Sequence, residues 1–531
     1  MHCGNLQTQE NPTVFFLNGH IGRQRTGIEN AALQRARLFE QYLSVNPVIC
    51  TVRYEPQFPE IRQLLLTQGL ASPTLRFKNL YDDLQGFDSN LELTDLAKHR
   101  SKRSPHLLVV EGRAEQLPES LDVRIFDAKG RPIAFCKYSE DHWCLKHVNY
   151  LCAGRVWKRD VFHSSGILSR TQFIDSATGL ARHEVYFNQE QQIVLTKFCE
   201  PVGGKNSATK IVLHLKGSQS VEFNSDGELI LHWLKGMVNQ AQGQIKFCCD
   251  RIRLFAEPLS RLMAESSPGS VAVIPVLHAI HTKRVGGIRG GAINANFNSV
   301  LRDLQRFPAV VVSTQHQRRD LEARFNATNV HAIPPGSFRP QPPAVDPSRE
   351  RLRIVYIARY SPEKRHHLAI EIFSRVHLKC PNVSMRFYGW GERMQPIIQD
   401  IHARRLGHVV SVNGFTQQPQ SVYAASGLSL LTSQGEGFAL GVLESLAAGC
   451  PVISFNVPYG PADMIQDGQN GALIPEGDVD AFAQRIVQIL TDEDLHYRLI
   501  NNCQHSIERF SEAAVAAQWC VLLQSATGMQ M

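Results

Sequence analysis

The 531-residue sequence has no long apolar run, few cysteines for its length and only a small excess of charge. Its most apolar stretch, 271–280, is interrupted by Pro275 and His278 and falls well short of the roughly 20 residues that cross a bilayer. The first twenty residues lack a basic start and an apolar core of signal length, so no secretory leader is expected. Twelve cysteines are too dilute for a disulfide scaffold. These absences predict a soluble cytoplasmic protein with reduced thiols and at most peripheral membrane association.

The remaining composition excludes further classes of protein. A net charge of +7 is too mild over this length to indicate a nucleic-acid binder, and no nucleic-acid partner is expected. The 37 glycines and 27 prolines are close to average usage, which excludes collagen-like architecture. With 43% hydrophobic residues, the chain can fill two ordinary cores and a smaller third.

Charge is unevenly distributed along the chain. Residues 281–330 contain eight Lys or Arg against three Asp or Glu, and residues 351–405 contain eleven against four. Two such basic blocks are typical either of walls that attract a polyanionic ligand or of solvated helix faces.

Apolar runs of strand length alternate with helical patterns from residue 351 onward, which predicts a parallel, doubly wound sheet. A second α/β pattern begins at Thr13 and resumes near Ile230, and short period-2 runs between its two parts predict an inserted antiparallel meander. The predicted fold is α/β, with two Rossmann-like domains and one inserted β domain. The predicted division is 11–83 with 226–333 for the split first domain, 84–225 for the insertion, 334–350 for a linker, 351–505 for the second domain, and 506–531 for a C-terminal helix that could pack back on the first domain.

Charged residues follow two predicted strands of the second domain. Arg359 and Lys364 lie on one strand-exit loop that opens a helix, a setting suited to a diphosphate. After another strand, Glu436 lies in a glycine-rich turn and Glu444 lies eight residues later in the next helix. Such carboxylates could accept hydrogen bonds from sugar or ribose hydroxyls, or they could be a capping or solvated pair.

The segment from Gly435 to Glu444 resembles the E-x7-E signature of retaining GT-B glycosyltransferases of the GT4 family. Supporting motifs follow in the same order, and the resemblance is strong over about 350–500: Arg359 with Lys364, Tyr388-Gly-Trp-Gly-Glu392, Asn413-Gly-Phe415, Glu444 to Ile453, and Asn470-Gly471. In the first half, the stretch from Thr26 to Arg37 and the segment from Tyr81 to Gln85 look like one branch of that family. This branch contains the poly(ribitol- or glycerol-phosphate) α-glycosyltransferases and the GtfA-type protein O-GlcNAc transferases.

The resemblance implies a role for each matching residue. Arg359 and Lys364 would neutralise the leaving diphosphate of a UDP-sugar, Glu436 would bind the hydroxyls of the donor sugar, and Glu444 would bind the ribose. The other implied donor contacts are Gly27 in the first glycine-rich loop, Gly389, the uracil pocket at Asn413, Gly414 and Phe415, and backbone N–H groups at Phe438, Ala439 and Leu440. A histidine at the end of a first-domain strand would face the sugar; His281 is preferred and His278 is the alternative.

No metal or other cofactor is expected, since Arg359 and Lys364 would supply the positive charge. The acidic pairs Asp478/Asp480 and Asp492/Asp494 mimic a metal-binding motif but open predicted helices, where acidic residues favour the helix dipole. The predicted function is transfer of glucose or N-acetylglucosamine from a UDP-sugar, with retention, to a polyol-phosphate polymer or a Ser/Thr-rich protein. The alternatives are a non-catalytic partner subunit that binds acceptor and a sugar-nucleotide epimerase of the same fold. The resemblance also implies that the inserted β domain could mediate a homo-oligomer or a hetero-complex.

Overall fold

The computed structural model describes the chain except for residues 1–11, 93–111, 119, 140–143, 203, 242, 284–286, 341–348 and 527–531. The chain divides into two compact units. The first unit holds the chain up to residue 37 and residues 45–271, and the second unit holds residues 38–44 and the chain from 272 onward. Residues 272–333, which the sequence pattern groups with 11–83, therefore cluster with the C-terminal half. The exact domain limits stay predictions.

The first unit combines a parallel sheet with a large antiparallel one. Its strands are β1 Thr13–Asn18, β2 Val48–Thr51, β3 Arg76–Asn79, β4 Arg113–Gln116, β5 Val123–Phe126, β6 Pro132–Tyr138, β7 Leu145–Cys152, β8 Arg155–Phe162, β9 Leu168–Ile174, β10 Ala181–Phe187, β11 Ile193–Val202, β12 Lys205–His214, β13 Ser220–Phe223 and β14 Ile245–Cys249. Its helices are α1 Gly27–Leu38, α2 Phe58–Thr67, α3 Leu80–Gln85, α4 Asp226–Gln240 and α5 Ile252–Glu265.

The parallel strands of this unit are ordered β3-β2-β1-β14. The central strand β1 pairs with β2 through Phe16 and Ile49 and with β14 through Phe16 and Cys248. These side chains are fully buried, as expected for strands covered on both faces. Strand β1 confirms the strand predicted from Thr13.

The antiparallel sheet is a meander, because all ten strands β4 to β13 pair with their neighbours in sequence. It lies within the predicted insertion. Helix α3 fastens it to the rest of the unit: the Lys197 ammonium of β11 donates to the Tyr81 hydroxyl (2.8 Å), and the Gln85 amide donates to the Ser169 carbonyl (2.7 Å). The Tyr81–Gln85 segment that the sequence singles out therefore joins the insertion to the parallel sheet.

The second unit contains three parallel strands, β15 to β17, and a six-stranded parallel sheet. Its strands are β15 Val271–Leu277, β16 Val310–Val312, β17 Val330–Ala332, β18 Glu350–Ile357, β19 Ser384–Tyr388, β20 Val410–Asn413, β21 Ser426–Leu431, β22 Val452–Phe455 and β23 Gly471–Ile474. Its α-helices are α6 Asn298–Leu301, α7 Gln315–Phe325, α8 His366–Lys379, α9 Met394–Ala403, α10 Pro419–Ala424, α11 Leu440–Ala447, α12 Pro461–Met464, α13 Val479–Thr491, α14 Glu493–Asn502 and α15 Glu512–Ser525. Across the described residues of both units, no helix combines the length and apolarity needed to cross a bilayer.

Strands β17, β16 and β15 pair in parallel, and the remaining six form a sheet of order β20-β19-β18-β21-β22-β23. This is the Rossmann strand order, in which chain direction across the sheet reverses between β18 and β21. Phe373, Phe387 and Phe455 are fully buried in its core. The predicted doubly wound sheet of the C-terminal half is confirmed, and ligands of such sheets bind beyond the carboxyl ends of the strands at the reversal point.

The C-terminal helix α15 packs on residues 39–43, which belong to the same unit and form a short π-helix. The rings of Phe39 and Trp519 meet edge to face with centroids 5.6 Å apart. The Tyr42 hydroxyl donates to the Glu512 carboxylate (3.4 Å), which also receives the Arg339 guanidinium at 3.2 Å. The end of the chain is thus held against a segment near its beginning.

Candidate active site

The reversal point of the six-stranded sheet brings the two predicted charged loops together. Strands β18 and β21 pair in parallel, with Ile354 opposite Leu428, so the loops that leave their carboxyl ends are neighbours. The backbone N–H of Gln434 donates to the backbone carbonyl of Glu363 (2.8 Å), and this hydrogen bond joins the two loops directly. The residues predicted from sequence in these loops therefore occupy one edge of one sheet.

Lys364 and Glu436 form an ion pair at the centre of this edge. The Lys364 ammonium lies 2.6 Å from the Glu436 carboxylate, and the two side chains are only 17% and 12% exposed. Burial acts to lower the pKa of Lys364, but the adjoining Glu436 and Tyr356 outweigh it and the pKa is raised. Lys364 therefore stays charged, and the two groups predicted to contact different parts of a donor instead contact each other.

Arg359 is held far more loosely. Its guanidinium donates to Glu363 at 2.8 Å, but both side chains are largely exposed, at 59% and 43%. Exposed pairs of this kind contribute about 0–1 kcal/mol. Arg359 can consequently exchange Glu363 for an anionic ligand at little cost, whereas Lys364 has a shielded partner.

Glu444 lies one turn into helix α11 and is half-buried. Burial raises the pKa of its carboxyl to about 7. Among the described residues, no hydrogen bond or ion pair engages this carboxylate. A desolvated, unengaged acceptor is suited to ligand hydroxyls, which is the role that the sequence predicts for Glu444.

The predicted backbone donors lie at the start of helix α11. Leu440 is its first residue, and Ala439 before it has a left-handed backbone with φ +68°. The first N–H groups of a helix have no partners within it and attract negative charge. The backbone of Gly460 packs on this turn, since an added Cβ would overlap the Phe438 carbonyl. The side chain of Phe438 is buried, so only its backbone can serve a ligand.

The exits of β18, β19 and β20 are bound tightly to one another. The Gly389 amide donates to the Gly414 carbonyl (3.2 Å), and the Tyr360 hydroxyl donates to the Asn413 carbonyl (2.6 Å). A Cβ on Gly389 would overlap the Ala358 carbonyl oxygen. Phe415 is 67% exposed. Gly389 and the three residues predicted to line a nucleobase pocket, Asn413 to Phe415, therefore share one side of the same sheet edge, and Phe415 offers an open aromatic face there.

The structure separates the two candidate histidines. His281 is fully buried, and its Nε2 lies 3.0 Å from the Ile288 carbonyl, to which it must donate. Its Nδ1 is then a buried acceptor without a partner among the described residues. Burial, the largest influence, lowers its pKa despite the bond to Ile288. His281 is therefore enclosed in this structure, whereas His278, half-buried directly after β15, is partly accessible. Which of the two histidines faces a sugar stays a prediction.

His278 also meets the loop that carries Glu436. A Cβ on Gly437 would overlap the His278 carbonyl oxygen and lie 2.8 Å from its carbonyl carbon. Only glycine permits this approach of two backbones. The histidine at the end of β15 and the Glu436 carboxylate are consequently carried by touching segments.

Replacing Gly437 with alanine is expected to destabilise the protein by about 1–3 kcal/mol, the range of overpacked sites, and to reduce turnover. The added methyl group meets rigid backbone rather than a flexible side chain. Chemical denaturation of the variant measures the loss. Gly414→Ala is the control, because a Cβ there has nothing within 4 Å; an equal loss in both variants would contradict the crowding.

Gly27 lies in the first unit, where it begins helix α1. The amide of the preceding Thr26 donates to the Glu29 carboxylate (2.8 Å), which also pairs with Arg251. Burial acts to raise the pKa of Glu29, but the bonds from Thr26 and Arg251 lower it overall. Gly27 thus sits on a braced, exposed turn at a helix N-terminus, a position suited to an anion.

Two residues that the sequence does not single out organise the site. The Arg365 guanidinium donates to the carbonyls of Thr432 (2.8 Å) and Ser433 (2.6 Å), which ties the exits of β18 and β21 together. Tyr459 follows β22 and bonds to the Glu436 loop through its backbone. The position of Arg365 next to Lys364 is a weak signal, and no spacing rule identifies Tyr459.

The basic block 351–405 is largely neutralised by local pairs. Seven of its eleven cationic residues contact carboxylates, namely Arg351, Arg353, Arg359, Lys364, Arg365, Arg375 and Arg404. The block is therefore mainly a set of ion pairs, some exposed and some shielded, and it gives less support to a polyanionic ligand than the residue count suggests.

The acidic pairs that mimic a metal motif serve as helix caps. Asp478 accepts from the Ala481 amide and Asp492 from the Leu495 amide, each at 2.9 Å. Across the part of the chain that the structure describes, no group of three or more His, Cys, Asp or Glu side chains is placed to hold a metal. The expectation of a metal-free site stays a prediction.

Comparison with known proteins finds a family match over part of the chain and relatives over nearly all of it. Residues 339–506 match the family described as "Glycosyl transferases group 1". The chain is 21% identical to the poly(glycerol-phosphate) alpha-glucosyltransferase of Bacillus subtilis (strain 168), over 98% of this chain and 76% of that protein. It is 22% identical to the poly(ribitol-phosphate) alpha-N-acetylglucosaminyltransferase of Staphylococcus aureus (strain COL), over 96% and 99%.

Among solved structures, the pneumococcal O-GlcNAc transferase GtfA, in complex with UDP and GlcNAc, superposes with a TM-score of 0.81. The two chains are 18% identical, and the match covers 98% of this chain and 99% of the other. The resemblance stated from the motifs and the predicted GT-B fold with an inserted antiparallel domain are confirmed.

Proposed function

We propose that this chain, whose residues 339–506 are a glycosyl transferases group 1 domain, is a retaining glycosyltransferase that moves glucose or N-acetylglucosamine from a UDP-sugar to a hydroxyl of a polymeric acceptor. The observation that carries the proposal is the Lys364–Glu436 ion pair at the reversal point of one Rossmann-type sheet, with Arg359 on the loop after β18 and Glu444 in the helix that follows the Glu436 loop. Anionic diphosphate, sugar hydroxyls and ribose hydroxyls are the ligands that this set of charges complements.

Each group acts at a different part of the donor. Arg359 releases Glu363 and, with the N-terminus of α11, binds the diphosphate, where negative charge grows as the sugar departs. Lys364 holds the Glu436 carboxylate in place through their ion pair, and its remaining N–H donors reach the diphosphate. Glu436 accepts hydrogen bonds from the sugar, Glu444 accepts them from the ribose, and the edge formed by Gly389 and Asn413–Phe415 receives the uracil. His278, rather than His281, faces the sugar.

The acceptor is either a polyol-phosphate chain, as the names of the two sequence relatives indicate for those proteins, or a Ser/Thr-rich polypeptide. Because most cationic residues of the 351–405 block are already paired with carboxylates, the charge of this block does not favour one acceptor strongly over the other. All eleven cysteines in the described residues are free thiols, which supports work in the reducing cytoplasm.

A measurement of UDP release tests the proposal. Purified protein is supplied with UDP-glucose or UDP-N-acetylglucosamine and with either poly(glycerol-phosphate) or a Ser-rich polypeptide. We expect acceptor-dependent release of UDP with one donor and an α-linked product by NMR. Glu371→Gln, which removes a carboxylate from a partly exposed pair on α8 outside the proposed site, is the matched control and should keep the wild-type rate.

The outcomes separate the alternatives. No release with any donor, combined with thermal stabilisation by UDP, would identify a non-catalytic partner subunit that binds acceptor. Conversion of the UDP-sugar to its epimer without acceptor and without net release of UDP would indicate an epimerase. If transfer occurs, a steep fall in rate with added salt assigns the polyanionic acceptor, because salt screens charge attraction.

A further inference from the structure

We propose that Tyr459 is a positioning residue that fixes Glu436 relative to the His278 segment. This inference rests on the proposed glycosyl transfer. Tyr459 lies in the loop after β22, and its side chain is only 2% exposed. It is the point at which three segments of the second unit meet: the loop of Glu436, the segment after β15 and helix α7.

The Glu436 loop needs contacts with other segments to hold it in one conformation. Glycines precede and follow Glu436, and glycine loses more backbone freedom on ordering than any other residue. Two backbone hydrogen bonds bracket the carboxylate-bearing residue: the Glu436 amide donates to the Pro458 carbonyl (2.8 Å), and the Tyr459 amide donates to the Glu436 carbonyl (2.7 Å). The backbone at 458–459 therefore acts as a strap across Glu436.

The Tyr459 side chain anchors that strap. Its hydroxyl donates to the Asp320 carboxylate of α7 at 2.7 Å. Its ring lies nearly parallel to the ring of His281, at an interplanar angle of 22° and a centroid distance of 6.2 Å. His281 in turn holds the Ile288 carbonyl, which also receives the Arg324 guanidinium of α7 (3.2 Å). The strap is thus attached to a buried polar network rather than to solvent.

The same network holds the segment that carries His278. The Gln317 amide of α7 donates to the Ala279 carbonyl (2.8 Å), next to His278. Gly437 contacts the His278 backbone from the other side. Helix α7 therefore supports both segments. Gln317 holds the segment of His278, and Asp320, acting through Tyr459, holds the loop of Glu436. This arrangement gives the fully buried His281 a function: it supports Tyr459 instead of contacting the sugar.

The test removes one oxygen atom. Tyr459→Phe keeps the ring beside His281 and breaks only the bond to Asp320. We expect turnover to fall about tenfold, because small displacements of a substrate-positioning group are costly in rate, while the dissociation constant of UDP changes less than twofold. Tyr497→Phe is the matched control, since Tyr497 is 59% exposed on α14, and it should behave as wild type.

Substitutions of Asp320, which accepts the hydrogen bond from the Tyr459 hydroxyl, provide a second test. Asp320→Asn retains an acceptor oxygen and should keep turnover within about threefold of wild type, whereas Asp320→Ala should reproduce the loss of Tyr459→Phe. The double variant Tyr459→Phe/Asp320→Ala should be no slower than either single variant, because both remove the same bond. Losses that multiply, or wild-type turnover in Tyr459→Phe, would overturn the inference.

Hydrogen exchange provides a readout that does not depend on activity. The amides of Glu436 and Tyr459 are the donors of the strap, so peptides covering 434–440 and 457–461 should exchange about tenfold faster in Tyr459→Phe than in Tyr497→Phe. If amide exchange in these peptides is unchanged in Tyr459→Phe, the positioning role is refuted, whether or not transfer activity is found. An inactive wild type with accelerated exchange in the variant would instead refute only the proposed function.

Discussion

Replacing Glu436 with glutamine is expected to lower turnover a hundredfold to a thousandfold, an effect comparable to removing one preorganised polar group from an active site. Glutamine keeps the size of the side chain and leaves an oxygen that can accept from Lys364, but it removes the charge that binds the sugar hydroxyls and holds the ammonium. Steady-state kinetics at saturating UDP-sugar measure the change. Because the amide replaces the partner of Lys364, the free energy of unfolding should fall by no more than about 1–2 kcal/mol.

Alanine at the same position is a harsher change and a poorer test. It would leave the Lys364 ammonium, which is 17% exposed, without its partner. Removing one member of a buried pair costs about 3–5 kcal/mol, so lost activity could reflect lost structure. Glu371→Gln again serves as the control. Full turnover in Glu436→Gln would refute the assignment of this carboxylate to the donor.

Replacing Glu444 with glutamine is expected to stabilise the protein at pH 8 and to weaken nucleotide binding. The pKa of the Glu444 carboxyl is raised by burial from 4.5 to about 7, so the folded state favours the protonated form. Below pH 4.5 the carboxyl is protonated in both states and its ionisation has no effect. As the pH rises from about 4.5 to 7, ionisation of the unfolded chain progressively lowers stability, and the loss is complete above 7.

Glutamine cannot ionise, so Glu444→Gln should gain about 1–3 kcal/mol at pH 8 and almost nothing at pH 4.5. Chemical denaturation at the two pH values measures the difference. A variant less stable than wild type at pH 8 would contradict a desolvated carboxylate at this position.

Nucleotide affinity should change in the opposite direction. An ionised carboxylate accepts two hydrogen bonds from ribose hydroxyls, and bonds to charged groups contribute about 1.5–3 kcal/mol. Uridine, whose ribose carries no phosphate, should bind wild type more tightly as the pH rises through 7 and bind Glu444→Gln at least tenfold more weakly at pH 8. Calorimetry at pH 6 and 8 tests this, and equal affinities at pH 8 would exclude Glu444 from the ribose site.

The sequence predicts those parts of the site that local patterns encode. Apolar runs identify the strands, and the eight-residue spacing of Glu436 and Glu444 places one carboxylate on a loop and the other in the helix that follows. It does not predict that Lys364 pairs with Glu436, since 72 residues separate them and only the sheet brings them together. His281 shows the same limit, because contacts with segments distant in sequence, Tyr459 among them, surround its ring, and no local pattern records them. Arg365 and Tyr459 act through backbone groups of distant segments, which no residue spacing records.

The contact between helix α15 and residues 39–43 has a consequence for how the chain is made. The Tyr42–Glu512 hydrogen bond joins positions 470 residues apart, so the second unit cannot close until residue 512 has left the ribosome. The first unit has no such delay, because its strands and helices are complete by residue 271. Synthesis from the N-terminus therefore favours an order of folding in which the first unit forms early. Until Trp519 has been synthesised, Phe39 lacks its packing partner and is an exposed apolar group that chaperones can recognise.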